Sequence, residues 1–251
     1  MAALSLQKSD DRSGFIRSLS GSHRYIMDYL VEEVVGRLPE QTQDFLLRTS
    51  VLDRFCAAIC DAVVGRSGSQ EVLEALERSN LFTVPLDDDR TWYRYHRLFA
   101  DLLQHRLHRT LAAEEIAELH RRAGEWREGE GHIEGSVDAF LRARAYSDVL
   151  RLVENHYQRI LTGGGLRLLL SWMSSVPDEI VRADAMAAVV YGVFLAFTGD
   201  GAGAEKWFSV ADGILDRTGD ESERAKTARG RANAVRAFLA DMMGRTDAAI
   251  E

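Results

Sequence analysis

Prolines are scarce in this sequence of 251 residues, which has only three of them, Pro39, Pro85 and Pro177. Proline interrupts helices because it lacks a backbone N–H and its ring clashes with the preceding turn. Long helices are therefore permitted over most of the chain. We predict a mostly helical protein.

Long apolar runs and an excess of basic residues are also missing. No apolar stretch approaches the roughly eighteen residues that a membrane span requires, and the N-terminal MAALSLQKSDDRSG lacks the pattern of a secretory signal. Acidic residues outnumber basic ones by 39 to 31, giving a net charge of −8, which disfavours a generic nucleic-acid binder. We therefore expect a cytoplasmic protein with no membrane partner.

Cysteine is equally rare, and the two present, Cys56 and Cys60, lie four residues apart in FCAAIC. On a helix this spacing places both on one face. A metal site would need further ligands nearby, and the local sequence offers none. We expect two small, buried, reduced side chains and no metal.

The first part of the chain alternates short helical patterns with turn signals. After a polar stretch at 1–20, helical periodicity begins at Tyr25 and ends near Leu38. Pro39 suits the first turn of the next helix. The predicted core side chains of that helix are Phe45, Leu46 and Val51.

A third, short helix is predicted to start at a capping Asp53 and to end at Gly65, and a fourth covers 70–79. The periodicity then changes to that of strands. LFTVPL at 81–86 and TWYRYH at 91–96 are separated by four polar turn residues, a pattern that predicts a β-hairpin. The second run leads into a further helix. This order is that of a winged-helix domain.

A DNA-binding winged helix needs basic residues on its recognition helix and wing. Here the corresponding helix, 70–79, carries three glutamates and one arginine, and the wing tip, 87–90, carries three aspartates and one arginine. Acidic groups repel phosphate, so we expect this domain to dock against protein rather than DNA.

From about residue 112 onward the sequence shows helical segments separated by glycine-bearing breaks and no further strand pattern. LAFTGDGAGAE at 195–205 resembles LADMMGRTDAAIE at 239–251, as if one helical unit were repeated. A helix, a glycine turn and an alanine-rich helix start are typical of tetratricopeptide-like repeats. We therefore predict an α-helical solenoid over 111–251, truncated within its second copy.

Motifs of enzyme chemistry are absent from the sequence. It contains no GxxxxGK[ST] phosphate loop, no GxSxG elbow and no HExxH zinc helix. We expect that this chain is not an enzyme by itself and holds no cofactor of its own.

Five stretches resemble the large ATP-dependent transcriptional regulators of the LuxR type, maltose-activator-like members of the STAND ATPases. ALSL (3–6) and the run from GSHRYIMDYL to AICDAVVG (21–65) resemble the part that follows the nucleotide-binding domain. LEALERSNLFTVPLDDDRTWYRYHRLFADLL (73–103) resembles the winged-helix arm. The runs at 119–155 and 168–185 resemble the start of the helical sensor domain. SVDAFLRARA, within the fourth run, departs from the family pattern.

The resemblance implies three parts: the tail of a nucleotide-binding region at 1–20, a winged-helix arm at 21–110 and a truncated sensor domain at 111–251. It further implies an upstream ATP- or ADP-binding domain, an unknown inducer, self-association in the active state, and DNA contact only through a downstream helix-turn-helix. The implied function is the regulatory middle segment of an inducer-responsive activator. A free-standing helical-repeat adaptor is the alternative.

One histidine, His96, takes the place of the histidine in the Met-His-Asp motif of the wider STAND class, with Arg97 where the family often has an acid. The resemblance implies that His96 contacts the phosphate of ADP bound on the separate nucleotide-binding domain. An imidazole at a helix N-terminus is chemically suited to this contact. The alternative is a histidine that only starts the helix.

Overall fold

The structure, a computed structural model, describes residues 35–79 and 82–242. It begins with three short helices, α1 (Glu40–Thr49), α2 (Ala57–Val64) and α3 (Ser69–Arg78). Two strands follow, β1 (Thr83–Pro85) and β2 (Tyr93–Tyr95), and then helix α4 (Arg97–Thr110). Residues 25–34 of the helix predicted to begin at Tyr25, and the segment 1–20, lie outside the described residues.

The first helices follow the predicted pattern, with one correction. Pro39 directly precedes α1, and the predicted core residues of that helix are buried. Gly65 ends α2 in the left-handed conformation with φ 77°, which glycine adopts without a Cβ penalty. The predicted cap at Asp53 is wrong: Cys56 is the N-cap residue of α2, with φ −122° and ψ 174°. The neighbouring Phe55 forms a β-bridge with Tyr93, and this pairing keeps residues 55 and 56 out of the helix.

The predicted hairpin is present as an antiparallel pair. Thr83 lies opposite Tyr95, and Pro85 lies opposite Tyr93. The N–H of Phe55 donates to the carbonyl of Tyr93 and the N–H of Tyr93 donates back, both at 2.8 Å. This bridge adds a short third segment to the sheet. Three helices, a wing and a closing helix form the winged-helix domain that the sequence predicts.

The turn of the hairpin is organised by one carboxylate. Oδ1 of Asp87 accepts hydrogen bonds from the backbone N–H groups of Thr91 at 2.8 Å and Trp92 at 3.2 Å. Such bonds from an Asp side chain to the backbone a few residues on are a common way to close a turn. The turn residue Arg90 has a positive φ of 51°, a conformation that costs energy for a residue with a Cβ.

The rest of the described chain is helical, and its eight helices are listed here. They are α5 (Ala113–Gly129), α6 (Ile133–Arg142), α7 (Tyr146–Thr162), α8 (Leu166–Ser175), α9 (Asp178–Val181), α10 (Ala185–Phe197), α11 (Gly201–Thr218) and α12 (Glu223–Met242). The predicted absence of further strands is confirmed for residues 97–242.

Glycine breaks separate several of these helices where the sequence predicts them. Gly199 lies between α10 and α11 with φ 84°, and Gly219 ends α11 with φ 61°. Both need the left-handed conformation that favours glycine. The predicted break at Gly244 lies outside the described residues, as does most of 239–251, so the repeat between 195–205 and 239–251 stays a prediction.

Helix α10 lies at the centre of the helical core. Nine of its thirteen residues are buried, and it contacts α7, α8, α11 and α12. A helix that is apolar on all sides is stable only when it is enclosed. At Gly192 the ring of Phe208 and the backbone of Ala204 occupy the space that a side chain would need, which shows how closely α11 approaches.

The chain divides into two compact units between Trp126 and Arg127, near the end of α5. The winged helix lies in the first unit and the core around α10 in the second. The boundaries 1–20, 21–110 and 111–251 stay predictions. No helix in the described part of the chain is both long and apolar enough to cross a bilayer.

Candidate functional site

His96 connects strand β2 to helix α4 and is the N-cap residue of that helix. Its backbone N–H donates to the carbonyl of Phe82 at 2.7 Å, and its carbonyl accepts from Phe99 and Ala100, both at 2.9 Å. The backbone of His96 therefore joins the wing to the helix through hydrogen bonds that do not involve its side chain.

The imidazole of His96 points to no partner in the described structure. The residue is exposed, its side chain makes no capping hydrogen bond, and it has no ion pair among the described residues. Both ring nitrogens are thus available to an external group. An imidazole at this position is free to donate a hydrogen bond to an anion.

The start of α4 favours an anion. The first-turn N–H groups of a helix lack intrahelical acceptors and carry partial positive charge, and the first turn of α4 contains no acidic residue. Two exposed arginines, Arg94 and Arg97, flank His96 in the sequence. No motif in the sequence indicates a role for Arg94. The alternation along the strand could have indicated that Arg94 is exposed beside His96, because Tyr93 and Tyr95 point inward and Arg94 points outward.

A buried aromatic cluster supports this junction. The ring of Tyr95 lies 4.5 Å from that of Phe55 and 5.7 Å from that of Phe99. Its hydroxyl shares a hydrogen bond of 2.7 Å with the hydroxyl of Thr49. Burial raises the pKa of Tyr95, so the hydroxyl remains neutral. The residue before His96 is therefore held rigidly between α1 and α4.

The surface that a DNA-binding winged helix would use is acidic in this structure. Glu71 and Glu74 are exposed on α3. The cations nearby are already engaged: Arg90 pairs with Glu77 at 3.0 Å, and Nε of Arg78 donates to the carbonyl of Glu74 at 3.2 Å. On this surface carboxylates outnumber arginines, so it is poorly suited to hold phosphate.

An open groove of about 540 Å³ runs between α3 and the wing. Its lining residues are Gln70, Glu74, Glu77, Arg78, Asp89, Arg90 and Tyr93. The hydroxyl of Tyr93 donates to Glu77 at 3.3 Å. Burial, followed by the charge of Glu77, raises the pKa of this tyrosine. With three carboxylates and two arginines, the groove suits a protein partner better than a nucleic acid.

The cysteines and the large aromatics of the helical region serve packing. Cys56 and Cys60 are free and buried, as the sequence predicts. Trp172 and Trp207 are 3% and 6% exposed. The Trp207 ring is covered on its sides by the Arg182 guanidinium, 4.7 Å from its centre, and by the ring of Tyr191 at 5.1 Å. Trp126 is partly buried and lies 6.3 Å from Trp92, edge to face.

Comparison with known proteins identifies the first unit. Residues 31–115 match the family model described as the MalT winged helix domain. This stretch is a MalT-type winged helix. The resemblance of the chain to the LuxR-type large regulators is thereby confirmed.

Two relatives match along nearly the whole chain. The serine/threonine-protein kinase PknK of Mycobacterium tuberculosis is 31% identical over 249 residues, which are 98% of this chain and 21% of that protein. The HTH-type transcriptional regulator MalT of Cronobacter sakazakii is 28% identical over 236 residues, 93% of this chain and 25% of that protein. The MalT of Vibrio cholerae is 43% identical over 84 residues, 34% of this chain and 9% of its own length. The chain thus spans about a fifth of PknK and a quarter of the Cronobacter MalT.

Proposed function

We propose that this chain is the regulatory middle segment of an ATP-dependent, inducer-responsive regulator of the LuxR type. In this function it couples the nucleotide state and the binding of a signal to self-association. Its extended similarity to both a transcriptional regulator and a protein kinase supports the proposal. Two proteins with different outputs share this stretch, so the stretch is better suited to regulation than to either output.

The winged helix acts in this proposal as an arm that docks against protein. The acidic groups on α3 and the wing, and the ion pair of Arg90 with Glu77, argue against a grip on duplex phosphate. DNA is contacted through a separate helix-turn-helix, as the name of the MalT relatives indicates for those proteins. The segment works in the cytoplasm and carries no enzymatic chemistry of its own.

His96 is the phosphate-sensing residue of the arm. The observation that carries this assignment is the unpartnered, exposed imidazole at an uncapped helix N-terminus. A hydrogen bond from this imidazole to the phosphate of ADP, held on a nucleotide-binding domain, stabilises the closed, inactive state. ATP and ADP shift the closure equilibrium only through such differential contacts.

The test uses the intact protein that carries this segment, with His96→Ala compared with His105→Ala, an exposed histidine on the same helix. Hydrogen bonds to charged groups contribute about 1.5–3 kcal/mol, so His96→Ala should weaken ADP binding roughly tenfold or more and raise basal activity. Isothermal titration with ADP measures the first effect. Unchanged ADP affinity and unchanged basal activity would show that His96 only starts the helix.

The alternative, a free-standing helical-repeat adaptor, is supported by the all-helical second unit. Sequencing the coding DNA on both sides of this chain separates the two functions. A phosphate loop upstream and a helix-turn-helix downstream support the regulator. Stop codons at both ends support the adaptor.

A further inference from the structure

Helix α12 buries very little apolar surface for its length. Among residues 223–241 of this helix, for which burial is described, three alanines are buried and no larger side chain is: Ala225, Ala228 and Ala232. Val235 and Leu239 are partly buried. By contrast, nine residues of the shorter α10 are buried, among them valine, methionine and phenylalanine. Since the stabilisation from burial scales with apolar area, the hydrophobic effect holds α12 far more weakly than α10.

Arginines of α12 form ion pairs with neighbouring helices, in addition to the small apolar contacts of the alanines. Arg224 donates to Glu154 at 2.7 Å and to Asp184 at 3.0 Å. These acceptors lie on α7 and at the N-cap of α10. The first of these pairs is bidentate, because Nε of Arg224 also reaches Glu154 at 3.1 Å. One guanidinium thus ties three elements together.

Two further arginines bind α12 to α11. Arg236 contacts Glu205 and Asp212, both at 2.8 Å, and Arg229 contacts Asp216 at 2.9 Å. We call these three arginines and their carboxylates the arginine clamp. Its members are Arg224, Arg229, Arg236, Glu154, Asp184, Glu205, Asp212 and Asp216.

The clamp is accessible to solvent ions. Its arginine side chains are 28–48% exposed, and the carboxylates that they contact are 26–73% exposed. The hydrogen bond from Arg236, opposed in part by burial, lowers the pKa of Glu205. Partly exposed pairs of this kind are weakened by salt, because the screening length falls from about 10 Å at 0.1 M to about 3 Å at 1 M.

We propose that α12 is a releasable helix, held by the arginine clamp and able to detach while α10 and α11 stay folded. Detachment breaks the ion pairs and uncovers the apolar side of α10 against which α12 packs. The helix pair of α10 and α11 does not depend on the clamp, since the buried Phe208 of α11 packs directly against Gly192 of α10. Asp184 also keeps its bond to the N–H of Ala187 at 2.8 Å, so α10 retains its cap.

Amide hydrogen exchange of the full chain, followed by mass spectrometry at low salt and at 1 M NaCl, tests the proposal. Each exposed ion pair changes the opening equilibrium by a factor of roughly 1.4 to 5. The five pairs together therefore predict a rise of about fivefold or more in exchange of the α12 amides at high salt. Exchange in α10 and α11 should change less than about twofold. Equal exchange of α12 at both salt concentrations would overturn the proposal. Opening of α10 and α11 together with α12 would overturn it as well.

A second experiment compares hydrogen exchange at low salt in a double variant and a control variant. The double change Arg224→Gln and Arg236→Gln should raise α12 exchange to the high-salt level and remove most of its salt dependence. Arg217→Gln is the control, because Arg217 is exposed and has no ion pair among the described residues. The control should leave α12 exchange unchanged. If α12 is as well protected in the double variant as in the control, the arginine clamp does not hold this helix.

Discussion

Gly192 lies where α10 meets α11, and the structure leaves no room there for a side chain. A Cβ at this position would lie 2.6 Å from Cε1 of Phe208 and 3.1 Å from the carbonyl oxygen of Ala204. Neither neighbour yields easily, because the Phe208 ring is fully buried and the Ala204 oxygen belongs to the backbone. Gly192→Ala therefore forces the two helices apart or displaces the ring.

Two opposing effects set the change in the free energy of unfolding caused by Gly192→Ala. Overpacking a close contact costs about 1–3 kcal/mol, while alanine favours a helix interior over glycine by about 1 kcal/mol. The matched control is Gly213→Ala in α11, where the nearest atom is a flexible Arg217 nitrogen at 3.6 Å. This control keeps the helix gain without the clash. The difference between the two variants therefore isolates the overpacking cost, about 1–3 kcal/mol.

Thermal unfolding followed by far-UV circular dichroism measures this difference. For a chain of this size 1 kcal/mol shifts Tm by about 2–4 °C, so Gly192→Ala should melt roughly 2–12 °C below Gly213→Ala. Equal melting temperatures would refute the close approach of α10 and α11 at this point. A lower melting temperature of the control would refute the assignment of the cost to the clash.

Two further predictions concern titratable groups in the first unit. Burial raises the pKa of the Cys60 thiol, and Cys56 is also buried, so a disulfide reagent should react with both only after unfolding in guanidinium; rapid reaction of the native protein would contradict this. Hydrogen bonds from Arg121, and next from Arg122, lower the pKa of Glu118 from 4.5 to about 2. Because the folded pKa is the lower one, the contribution of Glu118 to stability is complete above pH 4.5 and is lost as the pH falls towards about 2. Carbon NMR titration of this carboxyl group checks the shift, and a midpoint near 4.5 would disprove it.

The order of the helices and the hairpin could be predicted without a structure, because these elements follow from local patterns in the sequence. Alternation in TWYRYH predicts which tyrosines point inward, and Gly65 and Gly199 mark turns that only a residue without a Cβ adopts easily. The exposed junction at His96 was found in the same way, at the point where one periodicity replaces another.

Features that depend on residues far apart in the sequence became visible only in the folded chain. The start of α2 follows Cys56 rather than Asp53, because the intervening Phe55 pairs with a strand nearly forty residues further on. Arg224 meets Glu154 across 70 positions of sequence. In the sequence α12 is a polar helix with scattered arginines, and no local pattern says which carboxylates lie opposite them. Ion pairs between distant helices arise from how those helices pack, and packing is set by the whole core around α10.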